Sequence, residues 1–412
     1  MFSAAEAERL ILTLVQPTDT VETINLANVS SCLGRVLAEP VTSALDFPHW
    51  DNSAMDGYAV RASDVQRSPV TLQIVEEIPA GKLPQKTIEP GQAARILTGA
   101  MMPAGADTVV MQEETERQGD RVTILQTAQS GSAAGAFVRQ RGSFYRAGGE
   151  LLRAGQVIFP AEIALLAAAQ QMQVQVYQRP RVAIISTGSE LVRPDQPLQP
   201  GQIVDSNQYA LTALVAQTGA IPVPLGIISD QRSAVKEAIA AALSQADLVI
   251  SSGGVSVGDY DYVDQVLADL GATLHIRAVA VKPGKPLTVA TIAGATHPQL
   301  YFGLPGNPAS AMVGFWRFVA PAIAKLSGQP GPWSPDFVWA TATTELRAGG
   351  QRETYLWGQL VAGATGYEFG QSAGSHSSGN LVNLANTTGL GVVPQGDRQI
   401  AIGQSVRVLK VG

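Results

Sequence analysis

From residue 181 onward, short uninterrupted apolar runs alternate with segments of helical periodicity. No other feature of the chain constrains its fold as strongly. "VAIIST" (182–187), "IPVPLGII" (221–228) and "DLVISS" (247–252) have the length and β-branched content of strands. They lack polar alternation, which suits parallel strands covered on both faces. "SNQYALTALVAQTGA" (206–220) and "DQRSAVKEAIAAALSQA" (230–246) read as helices between them. Ser206 or Asn207 caps the first, Gly219 stops it, and Asp230 is the expected N-cap of the second. A further helix is predicted at about 261–270, with strands in "LHIRAVAV", "LTVATI" and "QLYFG". "LPGNPASAMVGFWRFVAPAIAKLSG" (304–328) closes the unit as one long helix with Pro308 in its first turn. Strands and helices in this order imply βαβ units and a mainly parallel sheet.

The flanks read differently. Residues 3–16 carry helical periodicity through Ala5, Leu10, Ile11, Leu14 and Val15. Residues 65–135 alternate short β-rich runs with Gly/Pro turns, and a helix with Pro160 in its first turn fits 160–171. After the linker "GQPGPWSP" (328–335) the helical signals end, and short alternating runs suggest a small β-barrel or sandwich. With 412 residues, roughly two to four domains are expected.

Composition excludes several functions. A formal net charge of −6 argues against a broad nucleic-acid surface. The single cysteine, Cys32, allows neither an internal disulfide nor a thiolate zinc cluster, and the four histidines show no ligand pairing. A hard cation on carboxylates remains open. Glu6, Glu8 and Arg9 stand where a secretory signal would be apolar, and the most apolar stretch (157–172) is broken by Pro160 and Glu162. The expectation is a cytoplasmic protein that engages neither membrane nor nucleic acid.

In an open parallel sheet, ligands bind beyond the carboxyl ends of the strands. Four such ends are unusual here: "STGSEL", "SSGGVSVGDYD", "KPGKP" and "GLPGNPAS". Thr187, Gly188, Ser252, Gly253, Gly254 and Ser256 offer backbone N–H groups and hydroxyls to anionic oxygens. None of the four loops matches a dinucleotide or Walker fingerprint. Lys282 and Lys285 could be ordinary solvated lysines, but prolines and a glycine stiffen their turn, and a stiff turn presents two ammonium groups to one anion at small entropic cost. Glu190, Asp205, Asp230, Asp259 and Asp261 recur at the same loops; Glu190, Asp259 and Asp261 follow Gly-rich turns and are candidates to hold Mg²⁺ beside a phosphate or to act as a base. In the first half, Asp56 precedes Gly57 as in an ordinary turn, and Thr98 precedes a Gly turn.

Taken together, "DNSAMDGYAVRASD", "RILTGAMMPAGADTVVMQEE", "ISTGSELV", "GQIVDSNQYAL", "LGIISD", "SSGGVSVGDYDY", "KPGKP" and "GLPGNPASA" resemble the MoeA family of molybdopterin molybdenumtransferases, which includes the gephyrin E domain. The stretches run in the family's order over nearly the whole chain. The resemblance implies insertion of molybdate into adenylyl-molybdopterin with loss of AMP, a requirement for Mg²⁺, a homodimer, and a molybdopterin adenylyltransferase as donor partner. It implies four parts: a linking and dimerisation domain (1–45 plus 146–178), a β-rich domain (46–145), an α/β molybdopterin-binding domain (179–328) and a C-terminal β-barrel (329–412). Residue by residue, Asp56, Thr98, Glu190, Asp230 and Asp261 fall on positions needed for activity, Asp56 and Asp261 as candidate metal ligands. Lys282 and Lys285 fall on the oxyanion site and Pro305 and Pro308 on the family's paired prolines. Arg352 and Ser375 match positions that complete the molybdate pocket. One departure stands out. In "RQRGSFYRAGGELL" (139–152), Ser143 and Phe144 replace two acids, in a segment that either shapes the cleft or is a structural turn. A non-catalytic pterin-binding scaffold and another phosphate-ester transferase remain the rival readings.

Overall fold

The computed structural model describes residues 1–125, 133–254, 263–294 and 297–412. Ser256, Asp259 and Asp261 lie outside the described residues. The chain forms two compact units. The first contains Met1–Glu39, Gly155–Phe159 and Gln175–Gly412; the second contains Pro40–Ala154 and Pro160–Val174.

The first unit begins with helix α1 (Ala4–Leu14), closed by a capping box in which Ser3 and Glu6 bond reciprocally. Its centre is a six-stranded sheet of β1 (Arg181–Thr187), β2 (Ile221–Ile228), β3 (Leu248–Ser252), β4 (Thr273–Ala278), β5 (Pro286–Ile292) and β6 (Gln299–Leu304). The order is β2-β1-β3-β6-β5-β4. The pairs β2–β1, β1–β3 and β3–β6 are parallel, whereas β6–β5 and β5–β4 are antiparallel. Helices α2 (Asn207–Gln217), α3 (Arg232–Leu243), α4 (Val263–Asp269) and α5 (Pro308–Gly314) accompany it.

The apolar run of β1 is explained by burial on both faces. Val182 and Ile184 join one core cluster with α1 and α2, while Ala183 and Ile185 join a second with Val235 and Ile239 of α3. The first cluster extends to Phe315, Phe318, Tyr355 and Trp357. The long C-terminal helix expected at 304–328 is instead three segments. After α5, a wide turn at Phe315–Val319 is closed by the Ala320 N–H on the Phe315 carbonyl, and a last helix covers Ala320–Leu326. Pro321 has no N–H to donate to an ordinary α-turn, so the ladder breaks there.

Ser206 occupies the N-cap of α2 as expected but makes no side-chain capping bond; Asp205 Oδ1 ties the helix start by accepting the Gln208 N–H at 3.1 Å. Gln231, not Asp230, occupies the N-cap of α3. Asp230 accepts the Ser189 N–H of the β1 loop at 2.9 Å instead.

The C-terminal part of the unit is a closed barrel of β7 (Phe337–Ala342), β8 (Glu353–Gly363), β9 (Gly366–Gln371), β10 (Gly389–Val393) and β11 (Ser405–Lys410). The order β8-β9-β7-β11-β10 closes through β10–β8 pairing, which leaves no edge in the ring. Val281–Lys282 pairs in parallel with the start of β8, Val281 opposite Glu353 and Lys282 opposite Thr354.

In the second unit a six-stranded sheet runs, in spatial order, Thr108–Met111, Gly57–Val60, Gln92–Ile96, Val70–Ile78, Arg121–Ile124 and Thr115–Gln118. Alternate residues face two apolar clusters: Tyr58 and Val60 on one side, Ala59 on the other. Gly57 is not a turn residue, as the Asp-Gly pair suggested, but the first residue of a strand. A Cβ there would lie 2.0 Å from the Val110 carbonyl oxygen, so close strand approach requires glycine. At the 139–152 segment, Asp46 accepts Arg141 Nε at 2.6 Å and the Ala147 N–H at 2.8 Å, and the Phe144 N–H bonds the Phe47 carbonyl at 2.9 Å. Phe144 itself is 73% exposed. Backbone groups and Asp46 therefore build this turn, and the side chains of residues 143 and 144 do not.

Candidate active site

The expectation that the strand ends converge can be traced through the topology. Strands β1, β3 and β6 are parallel neighbours and end side by side. Strand β5 runs antiparallel to β6, so its amino end, which carries the lysine turn, lies beside the carboxyl end of β6. A cavity of about 1670 Å³ opens there within the first unit. Its wall includes Thr187, Gly188 and Glu190 from the end of β1 and the loop after it, Asp230 from the loop after β2, and Ser252, Gly253 and Gly254 from the end of β3. Lys282, Lys285, Pro305, Pro308 and Arg352 line the same cavity.

The glycine loops are forced by close approach. Gly253 has φ +90°, and a Cβ there would sit 2.3 Å from the Thr187 carbonyl oxygen. Gly254 has φ +67°, with a Cβ position 2.9 Å from Thr187 Oγ1. Asn207, from the start of α2, ties the β3 and β6 loops together. Its Nδ2 donates to Ser252 Oγ at 2.6 Å and to the Gly306 carbonyl at 2.8 Å. Its Oδ1 is buried and, among the described residues, unpartnered, as are both amide atoms of Gln208. The Ser189–Asp230 bond fixes the β1 loop on the opposite side.

The cationic wall is assembled by strand pairing. Lys282 and Lys285 are both exposed, and among the described residues neither ammonium has an ion pair or side-chain hydrogen bond. Gly284, at φ +100°, makes the turn between them. Arg352 Nη1 donates to the Val281 carbonyl at 3.1 Å, which sets the guanidinium beside the lysine strand. The Thr354 hydroxyl bonds the Arg352 carbonyl at 3.0 Å and holds the start of β8.

Ser375 is placed differently from expectation. It is exposed and does not line the cavity; its carbonyl accepts the amides of Asn380 at 2.9 Å and Asn383 at 3.0 Å. Ser377 and Ser378 line the cavity instead. The loop is glycine-rich and non-helical, so no periodicity marks which serine turns inward. His376, which carried no sequence signal beyond its type, also lines the cavity. Its ring lies 4.4 Å from the Trp357 ring, and its Nε2 faces the Ser372 carbonyl at 2.9 Å. Burial pushes the imidazole below its ordinary pKa, against an opposing pull from the Ser372 carbonyl. Asp205 is a further cavity residue, buried to 4% exposure.

Asp56 and Thr98 belong to the second unit. Asp56 Oδ1 accepts both the N–H and the hydroxyl of Thr98, each at 2.7 Å. The Thr98 hydroxyl, then its N–H, hold the Asp56 carboxyl below the ordinary aspartate range. Among the described residues no group of three or more His, Cys, Asp or Glu is arranged as a metal cage. No described helix is long and apolar enough to cross a membrane.

Comparison with known proteins gives a consistent result. Residues 2–170 match the MoeA N-terminal region (domain I and II), 183–325 the probable molybdopterin binding domain, and 340–411 the MoeA C-terminal region (domain IV). A molybdopterin molybdenumtransferase of Nostoc sp. is 55% identical over 415 residues, covering 100% of this chain and 94% of that protein. One from Haemophilus influenzae is 35% identical, over 95% of this chain and 94% of that one. The crystal structure of the molybdopterin biosynthesis MoeA protein from Pyrococcus horikoshii OT3 superposes with a TM-score of 0.82 at 28% identity, over 100% of both chains. All three MoeA regions in order, and full-length identity well above 30%, establish that this chain belongs to the MoeA family of molybdopterin molybdenumtransferases.

Proposed function

We propose that the protein is a molybdopterin molybdenumtransferase that inserts molybdate into adenylyl-molybdopterin with release of AMP. The observation that carries this reading is the wall of Lys282, Lys285 and Arg352 on a cavity whose other loops present glycine backbone. Molybdate is a dianion. Two ammonium groups and a guanidinium hold it by charge-assisted hydrogen bonds, with Ser377 or Ser378 supplying the hydroxyl assigned from sequence to Ser375. Thr187, Gly188, Ser252, Gly253 and Gly254, with Ser256, cradle the phosphate linkage of the adenylate. Pro305 and Pro308 stiffen the β6 loop so that Asn307 and Gly306 stay at the cavity wall.

Mg²⁺ fits this chemistry. Glu190 and Asp230 line the cavity as oxygen donors, the ligand type a hard cation takes alongside water and phosphate oxygens. Charge on the phosphoryl oxygens of the linkage is neutralised by Mg²⁺ when it is bound. Asp261 is assigned as a second acidic partner of the same cation. Asp56, with Thr98, is assigned to orient substrate or metal.

The assembly is a homodimer in which Asp56 and Thr98 serve the cavity of a second copy. A molybdopterin adenylyltransferase hands over the adenylate in the cytoplasm. The four-part division at 1–45 plus 146–178, 46–145, 179–328 and 329–412 is kept as our working domain scheme. The closed C-terminal ring supports it, as does pairing of Val41–Thr42 with Glu150–Leu152.

The test is incubation with adenylyl-molybdopterin, molybdate and Mg²⁺. Molybdate-dependent release of AMP is expected. Tight pterin binding without turnover would favour a scaffold, and neither binding nor turnover would favour another phosphate-ester transferase.

A further inference from the structure

Behind the cationic wall, four polar side chains form a chain through the apolar core. Glu8 of α1 accepts from Arg317 Nη1 at 2.5 Å. Arg317 Nε donates to the Tyr355 hydroxyl at 2.8 Å, and that hydroxyl donates to Glu353 Oε1. The side chains of Arg317 and Glu8 are 4% and 14% exposed, and Tyr355 is fully buried although it borders the cavity. Burial raises the Tyr355 phenol pKa, so it stays protonated and can accept from Arg317 while donating to Glu353. Arg317 sits in the wide helical turn at Phe315–Val319.

Stability alone does not account for this arrangement. A buried ion pair gives little net stabilisation over well-packed apolar residues, because desolvation offsets the attraction. Satisfied buried polar chains do enforce a unique geometry. Here the chain ends on Glu353, the first residue of β8. The Glu353 N–H bonds the Ala280 carbonyl at 3.0 Å, and Glu353 stands opposite Val281 in the ladder. Its neighbours are Arg352, which grips the Val281 carbonyl, and Thr354, which faces Lys282.

We propose that Glu8, Arg317, Tyr355 and Glu353 are positioning residues for oxyanion capture, and that they act by holding Arg352 and the Lys282 strand in fixed register. This rests on the molybdate reading of the cavity. A helix near the amino terminus thereby contributes to a binding wall it does not touch.

The decisive variant is Tyr355→Phe, which removes one oxygen and leaves the ring volume. In the AMP-release assay we expect the KM for molybdate to rise about tenfold, the range seen when an orienting partner is lost, with kcat and the KM for adenylate unchanged. In an Arg352→Ala background the same change should raise molybdate KM by a clearly smaller factor, since only the route through the Lys282 strand remains. Glu8→Gln, which keeps an acceptor at the far end, should move molybdate KM the same way by a smaller factor, and serves if Tyr355→Phe does not fold. Titration calorimetry with molybdate alone, on protein shown folded by circular dichroism, should repeat the tenfold loss. Equal loss in both Arg352 backgrounds, a parallel fall in kcat and both KM values, or unchanged molybdate binding would each overturn the inference. If the wild-type protein released no AMP, the functional reading would fall, while calorimetry would still decide this one.

Discussion

Asp56 and Thr98, 42 residues apart, meet in a two-pronged contact. One carboxylate oxygen receives both the hydroxyl and the N–H of the threonine at 2.7 Å. Both residues lie at the margins of the sheet in the second unit, Asp56 just before Gly57–Val60 and Thr98 just after Gln92–Ile96. These strands are paired with Gly57 opposite Ile96. The motifs "DNSAMDGYAV" and "RILTGAMMPAG" are thus two halves of one local structure.

This contact has a pH signature. Bonding to the ionised form depresses the Asp56 pKa, so its stabilisation is complete above the ordinary aspartate value of about 3.9 and is lost as pH falls through the lower folded value. Thermal melts of wild type and Asp56→Asn should differ by a constant amount from neutral pH down to about 4 and converge below it. A gap that persists unchanged into stronger acid would refute the assignment.

Removing the paired ammonium groups should weaken the oxyanion site specifically. Each charge-assisted hydrogen bond is worth roughly 1.5 kcal/mol, so Lys282→Ala with Lys285→Ala should raise the KM for molybdate about a hundredfold. Both side chains are exposed, so the melting temperature should stay within a few degrees. An unchanged KM in the folded double variant would show that the turn is only a turn.

Gly253→Ala tests close approach. The new Cβ would meet the Thr187 carbonyl at 2.3 Å in a left-handed conformation, and loss of about 2–4 kcal/mol is expected from strain and displacement. Gly271, at φ +74° with nothing within 4 Å, is the control. There Ala should cost only about 1 kcal/mol, the left-handed penalty alone. Urea midpoints for the two variants should separate accordingly; equal midpoints would mean that the β1 and β3 loops part easily.

His376 should make the cavity loop sensitive to mild acid. Its pKa is depressed by burial, so the stability it confers is present above the ordinary imidazole value of about 6.5 and is lost as pH falls through the lower folded value. The melting temperature of wild type should therefore decline more steeply below about pH 6.5 than that of His376→Gln. Parallel profiles would exclude a buried neutral imidazole.

The legible parts of the structure were those with a local physical signal. The strands at 181–187, 221–228 and 248–252 were evident from unbroken apolar runs, since strands buried on both faces tolerate no polar alternation. Gly219 was readable as a helix stop because only glycine enters φ +86° without strain. Asp230 was misread as a cap because a carboxylate before a helix has two possible donors, and only the fold brings the Ser189 N–H within bonding distance. Which serines of 374–379 border the cavity was not legible because an irregular loop has no period. The helix at 304–328 was read as continuous because Pro321 alone does not announce a wide turn.

What the sequence by itself determined was the succession of elements, the family, and the residue types at each strand end. These follow from propensity, periodicity and motif order, all short-range along the chain. Tertiary structure alone decided which of those residues share a surface. The antiparallel reversal of β5 brings Lys282 and Lys285 beside the β6 loop, and a two-residue ladder with β8 brings Arg352 to them from 70 residues away. The barrel closes by pairing β8 with β10, and Arg317 reaches Glu8 across 309 positions. Such contacts depend on long-range hydrogen-bond pairing and burial, which no single stretch of sequence encodes.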